Sequence, residues 1–168
     1  MNNKLTVSYE DATDKEHPHH GVHLSFLYDL LKERLTSVNV NISHAAMPAY
    51  EKHIDFVEKN SGYKLHFVIV NADVPTQCIG TLYVTTRNEI GLFIIKRHQE
   101  HGYGKEAIRT LLREYPDQYY ANVHPENYRS RAMFTALGFK ALQYTYAIDT
   151  TPETDQDQAS SLIDRLDV

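Results

Sequence analysis

The chain has 168 residues, and its 17 Lys plus Arg against 22 Asp plus Glu leave a net charge of −5. That size suits one domain, and the acidic balance argues against a broad nucleic-acid-binding surface. The single cysteine, Cys78, excludes an intramolecular disulfide and a multi-cysteine zinc centre. No apolar run approaches the roughly 20 residues of a membrane span, and the polar start MNNKLTVSYEDATDKEH does not read as a signal peptide, so a soluble cytoplasmic protein is expected.

The first element is a short strand over residues 5–9, LTVSY, whose apolar positions alternate. A polar stretch then leads to a helix over residues 23–35, with Leu24, Leu27, Tyr28, Leu31 and Leu35 recurring on one face. A second helix is predicted from Met47 or Pro48 to Glu58, with Tyr50, Ile54 and Val57 as its apolar stripe. Then the period changes. HFVIV at residues 66–70 and CIGTLYVT at 78–85 read as a hairpin around the turn-like NADVPTQ, and EIGLFII at 89–95 reads as a further central strand. A helix over 104–115 is ended by Pro116. A strand over 118–124, a helix over 127–137 stopped by Gly138 and a last strand over 140–148 complete the pattern. The order predicts one α/β domain over residues 1–149 with a mixed, mostly antiparallel sheet flanked by helices. Residues 150–168 read as an acidic polar tail in which LIDRLDV could form a short helix.

Chemistry is concentrated at Gln99-Glu100-His101-Gly102-Tyr103-Gly104, between a buried strand and an amphipathic helix. Glycines there let the main chain approach a ligand, and the free N–H groups of a helix start suit a phosphate or pyrophosphate. The run is neither a Walker loop nor a dinucleotide fingerprint, since it lacks Gly-Lys-Ser/Thr and a third glycine. A glycine-rich turn without ligand is the alternative that this run alone leaves open.

A second motif, Asn127-Tyr128-Arg129-Ser130, leads through Phe134 to Leu137-Gly138-Phe139. Together the two motifs resemble those of the GNAT superfamily of acetyl-CoA-dependent N-acetyltransferases, and the element order matches over roughly residues 5–148. The resemblance implies a GNAT-like sheet whose fourth and fifth strands splay apart around the thioester. It implies that main-chain N–H groups around His101, Gly102, Tyr103, Gly104 and Lys105, with Gln99 opening the motif, hold the pyrophosphate of acetyl-CoA. It also implies that Phe93 and Ile94 pair with the pantetheine amides, that Asn127 hydrogen-bonds the pantetheine arm, and that the acceptor is a small-molecule amine.

Acyl transfer to an amine needs a base, donors for the oxyanion and an acid for the leaving thiolate. Many family members place a Tyr where this chain has Phe134, so Ser130 becomes the nearest candidate acid; a helical Ser bonding the preceding turn is the alternative. Glu89 is a candidate base, although family spacing falls on Asn88, and one residue of shift reverses the facing side unless a bulge absorbs it. Asn122 stands where peptide-acetylating relatives carry a glutamate. Asn122 and His124, alternating on one strand face, are taken as the substrate side.

His17, His19, His20 and His23 look like a metal cluster, but a loop punctuated by Pro and Gly does not ensure convergence, so a solvated loop and no metal site are expected. His44 and His53 frame the second helix and are candidates for acceptor recognition. Cys78 reads as a small core residue. The tyrosines, including Tyr63, Tyr83, Tyr119, Tyr120, Tyr144 and Tyr146, are assigned to strand packing, with sugar or peptide stacking conceivable for one or two. The acceptor expected first is an amino sugar, free or nucleotide-linked; a peptide or protein N-terminus, a polyamine, an aminoglycoside, or an acyl-CoA sensor without turnover are the alternatives. The oligomeric state is open, a homodimer included.

Overall fold

The computed structural model describes residues 6–38, 46–59 and 62–143. The elements run β1 (Val7–Asp11), α1 (His20–Leu35), α2 (Tyr50–Glu58), β2 (Tyr63–Asn71), β3 (Val74–Thr85), β4 (Ile90–Ile94), α3 (Tyr103–Glu114) and α4 (Tyr128–Ala136). The four strands form one antiparallel sheet in the order β1-β2-β3-β4. This is the α/β domain with a mostly antiparallel sheet that the sequence predicts.

Strand alternation explains the two layers. Phe67 and Ile69 of β2, with Leu82 and Val84 of β3 and Ile90 and Ile94 of β4, pack against Ala107, Ile108 and Leu111 of α3. The intervening Val68 and Val70, with Cys78, pack against Leu24 and Leu27 of α1 and Val57 of α2. Each face therefore buries its own apolar set, and a slip of one residue would expose both. The Tyr9 hydroxyl donates to the Ala107 carbonyl, tying β1 to α3.

The hairpin between β2 and β3 is tighter than NADVPTQ predicts. Asn71 accepts the Asp73 N–H at 2.9 Å as an Asx turn, and Pro75 falls in the irregular start of β3, where the register shifts between Val70 and Asn71. A proline without a donor is tolerated at such a bulge.

The strand expected over residues 118–124 is a correction. One parallel bridge, Glu89 with Tyr120, is all the pairing that segment has among the described residues. The Ile90 N–H donates to the Tyr120 carbonyl at 2.7 Å and the Tyr120 N–H to the Asn88 carbonyl at 2.9 Å. Beyond that point, among the described residues, no main-chain hydrogen bond joins the segment to β4, so the two chains part after one bridge. The alternation in QYYANVH has the pattern of a strand, but a ladder needs a bonded neighbour along its whole length. Most of the strand expected at 140–148, the tail, its short helix, His44, Tyr144 and Tyr146 lie outside the described residues.

Candidate active site

The parting of β4 from residues 121–124 leaves a sheet edge that is bare among the described residues. The β3–β4 register pairs Thr81 with Phe93 and Gly80 with Ile94, and the Ile95 N–H donates to the Ile79 carbonyl at 3.0 Å. Hydrogen-bonding direction alternates along a strand, so Gly91 and Phe93 turn their main-chain groups toward β3 while Ile90, Leu92 and Ile94 turn theirs to the open side. Phe93 is thereby corrected as a main-chain contact for a ligand, and its side chain is buried. Leu92, which motif matching missed, shares the open edge with Ile94. The register alone could have revealed it.

Gln99 donates its side-chain amide to the Ile94 carbonyl at 2.8 Å. It staples the glycine loop onto the end of β4, so its side chain serves positioning. Glu100 and Gly102 take positive φ of 66° and 88°, and this double turn throws the chain into α3. Gly102 has left-handed geometry, which favours glycine because it has no Cβ. Among the described residues no hydrogen bond occupies the main-chain N–H of Gly102, Tyr103, Gly104 or Lys105; the first helical bond there is Glu106 N–H to the Gly102 carbonyl at 3.1 Å. His101 engages its ring Nδ1 with the Gln99 carbonyl at 2.6 Å. A Cβ at Gly104 would meet Leu92 Cδ2 and Met133 Sδ at 3.4 Å, so the helix start sits directly over the open edge and beside α4.

Asn127 caps α4: its Oδ1 accepts the Ser130 N–H at 3.1 Å. That oxygen is engaged in local structure as the helix cap. Arg129, in the first turn of α4, pairs with Glu100 of the glycine loop at the surface. Ser130 is half-buried in α4, and its main-chain N–H donates to the Asn127 cap. Phe134 packs edge-on against Phe139 with 5.0 Å between centroids, inside the α3-side core.

The β3–β4 turn decides between Asn88 and Glu89. Thr85 and Glu89 close the ladder, Thr85 N–H to Glu89 carbonyl at 3.0 Å, and Asn88 takes φ 60° in a three-residue loop. Asn tolerates this left-handed position at the end of such a loop. Glu89 thus begins the ladder and shares the α1–α2 face with Tyr83 and Gly91, while Asn88 accepts from Lys64 at 3.2 Å. The Glu89 carboxylate receives Arg87 at 3.1 Å, the Thr85 hydroxyl at 3.3 Å and the Asn122 amide at 3.3 Å. Glu89 and Asn122 are therefore brought together. His124 is not, because its Nδ1 accepts the Glu126 N–H at 3.2 Å in the turn before α4. Without a strand there, Asn122 and His124 do not share a face by alternation, which corrects that expectation.

The GNAT acetyltransferase family model matches residues 24–139, well over half of the chain. The chain belongs to the GNAT acetyltransferase family. It is accordingly an acyltransferase with acetyl-CoA as donor. An acetyltransferase from Salmonella typhimurium solved with acetyl-CoA superposes with TM-score 0.59 at 15% identity, covering 81% of this chain and 79% of that one. The spermidine N-acetyltransferase from Vibrio cholerae, a dodecamer, gives TM-score 0.59 at 19% identity over 84% and 82% of the two chains. The ribosomal-protein-alanine N-acetyltransferase from Brucella melitensis gives 0.58 at 16% over 81% and 85%. At these identities the likeness is one of fold. No curated protein matches the sequence.

Opposite the α3 layer, this GNAT acetyltransferase carries an aromatic wall. Tyr63 stacks on Tyr83 with 4.3 Å between centroids, Phe56 and His66 meet Tyr63 edge-on, and Tyr28 meets Tyr50 and His53. The Tyr83 ring lies across Gly91, where a Cβ would fall 1.9 Å from Tyr83 Cζ, so glycine is required for the ring to lie flat on β4. Arg34 of α1 donates to the Tyr83 hydroxyl at 3.3 Å. The wall absorbs Tyr63 and Tyr83 into packing, as expected, yet keeps Phe56 39% exposed. Cys78 is buried, and burial pushes its thiol up, away from nucleophilic use.

His66 is buried at 7% exposure with no partner for Nδ1 among the described residues, and burial, helped by nearby His53, lowers its pKa to about 4 from 6.5. The unfolded chain then binds a proton that the folded chain refuses, so stability falls as pH drops below about 6.5 and keeps falling toward about 4. Between pH 7.5 and pH 5 this amounts to about 2 kcal/mol. Urea midpoints of wild type and His66→Phe at both pH values should differ by that slope; equal pH dependence in the two would show His66 to be readily protonated when folded.

The histidine-rich run is a correction too. The loop is short, α1 starts at His20, and His23 is fully buried at 0% exposure. Glu10, His17, His19 and His23 converge there instead of lying in solvent. His20 faces elsewhere, with Nε2 3.4 Å from Glu58 of α2. Among the described residues no helix is long and apolar enough to cross a membrane.

Proposed function

We propose that the acetyl group passes from acetyl-CoA to the primary amine of a small acceptor, an amino sugar or nucleotide-linked amino sugar first among them. The observation that carries the reading is the bare β4 edge at Leu92 and Ile94 running directly into the unbonded N–H groups of Gly102 to Lys105. An amide-bearing arm ending in a pyrophosphate matches both: a strand edge pairs with amides, and a helix start holds anions. Lys105 adds a cation at the same end. The face bearing Tyr83, Gly91 and Glu89 is flat and aromatic, which favours a ring-shaped acceptor over an extended one.

In this reading the amine nitrogen attacks the thioester carbon and the C–S bond breaks. Glu89, beside Asn122, takes the amine proton. Ser130 supplies a proton to the departing thiolate, whose free pKa near ~8.5 makes weak assistance sufficient. No acetyl-enzyme forms, since Cys78 is buried. Ser130→Ala should lower kcat by up to about 10²-fold with acetyl-CoA affinity unchanged. A parallel fall in affinity would make Ser130 a cofactor contact instead, and an unchanged kcat would leave the thiolate to water. Phe134, which cannot donate a proton, favours as second reading an acyl-CoA sensor without turnover. Free-thiol release from acetyl-CoA over a panel of amino sugars, nucleotide-linked amino sugars, peptides, polyamines and aminoglycosides decides. Turnover confined to the sugars supports the proposal, turnover on peptides or polyamines moves the acceptor class, and acetyl-CoA binding without any release supports the sensor.

A further inference from the structure

We propose that Glu10, His17, His19 and His23 form a structural site for one divalent transition-metal ion, zinc by preference, that fastens β1 to the start of α1. Three separate pieces of chain supply the donors. Glu10 projects from β1 onto the α1 side of the sheet, His17 and His19 lie in the loop, and His23 lies on α1 four residues after His19, whose carbonyl accepts its N–H at 2.9 Å. One ligating atom from each residue lies within 4.8 Å of every other. Tetrahedral zinc, bound at about 2.0–2.2 Å to imidazole nitrogen and carboxylate oxygen, holds its donors about 3.3 Å apart, so separations of up to 4.8 Å must close by up to about 1.5 Å while the 2.6 Å Glu10–His23 pair opens by about 0.7 Å.

The polar atoms are otherwise unsatisfied. Glu10 Oε2 and His23 Nε2 stand 2.6 Å apart, yet both, with His23 Nδ1 and His19 Nδ1, are buried without a hydrogen-bond partner among the described residues. Buried polar groups in native proteins are nearly always paired. Donor atoms gathered this closely, several of them without hydrogen bonds of their own, are what a cation satisfies. A small cavity of about 50 Å³ lined by His19, His23, Pro75, Thr76 and Cys78 adjoins the cluster. Nitrogen-rich donors favour zinc over calcium or magnesium, which take oxygen. A closed set of four protein ligands at a helix start, with no position left for substrate, marks a structural ion and not a catalytic one. His17 has the most to rearrange: its Nδ1 accepts the His19 N–H at 3.2 Å, a bond given up when its Nε2 lone pair turns to the ion.

The test uses tag-free full-length protein stripped with chelator, and its readouts do not involve acetyl transfer. Titration with zinc sulfate should show one ion per chain and raise the melting temperature, and cobalt should give the intense visible absorption of a tetrahedral site. His19→Ala and Glu10→Gln should each weaken zinc binding well beyond the roughly 10–100-fold that loss of an outer-shell partner causes. His17→Ala should weaken it least, and His20→Ala should leave it unchanged. His23 is too buried to serve as the sole test, so His19 and Glu10 are the deciding positions, with folding of each variant checked by circular dichroism. Stoichiometry well below one, unaltered affinity in both variants, or the pale spectrum of octahedral cobalt would overturn the site and leave a plain histidine–carboxylate cluster.

Discussion

Gly104→Asp should abolish acetyl-CoA binding while leaving the fold intact, and Gly102→Asp should do the same at some cost in stability. At Gly104 the new Cβ meets Leu92 and Met133 only at 3.4 Å, so the backbone need not move. An acidic side chain in the first turn of α3 is favourable to the helix by roughly 0.3–1 kcal/mol. The same carboxylate about 4 Å from a bound pyrophosphate is opposed by about 4 kcal/mol at an effective dielectric of 20, about 10³-fold in Kd. Helix stability and ligand affinity are thus driven in opposite directions by one substitution. Gly102 at φ 88° adds backbone strain of roughly 1–2 kcal/mol for any side chain. Calorimetric titration with acetyl-CoA and unfolding of the ligand-free variants check both parts. Near wild-type affinity in a folded Gly104→Asp protein would remove the pyrophosphate from this helix start.

Glu89→Gln should lower kcat by about 10²–10⁴-fold, the range expected for loss of a general base, with little change in acetyl-CoA affinity. Glutamine is chosen because it keeps the size and shape of the side chain: its one oxygen can accept from the Asn122 amide, while its NH2 replaces the oxygen that accepts from the Thr85 hydroxyl and Arg87. The exposed ion pair with Arg87 adds little to stability. Asn122→Ala removes the neighbour without removing the base and should cost less. A fall below tenfold in Glu89→Gln, measured at saturating acceptor, would transfer the base role to water.

Features legible in the sequence are those set by near neighbours along the chain. The helical stripes of α1, α2 and α3, the alternation in β2 and β3, the glycine loop before α3 and the asparagine cap of α4 each follow from residues within a turn or two of one another. The helix limits differ by up to three residues, α1 beginning at His20 where the apolar period predicts residue 23, because caps and turns and not periodicity set the ends. The family motifs lie in the same local stretches, which is why membership is readable before the fold.

What only the tertiary structure decided depends on partners distant in sequence. Whether residues 118–124 make a strand rests on how far β4 accompanies them, and β4 does so for one bridge at Tyr120. The β3 register assigns Phe93 inward and Leu92 with Ile94 to the open edge, since hydrogen-bond direction is fixed by the neighbouring strand and not by residue type. The positive φ at Asn88 puts Glu89, and not Asn88, at the head of the ladder. Pairing of β1 with β2 brings Glu10 beneath three histidines of the loop and α1. The sequence by itself determined the elements, the two apolar faces and the family; the pairing of strands decided which main-chain groups stay open and which distant side chains converge, because those are relations between segments that local patterning does not encode.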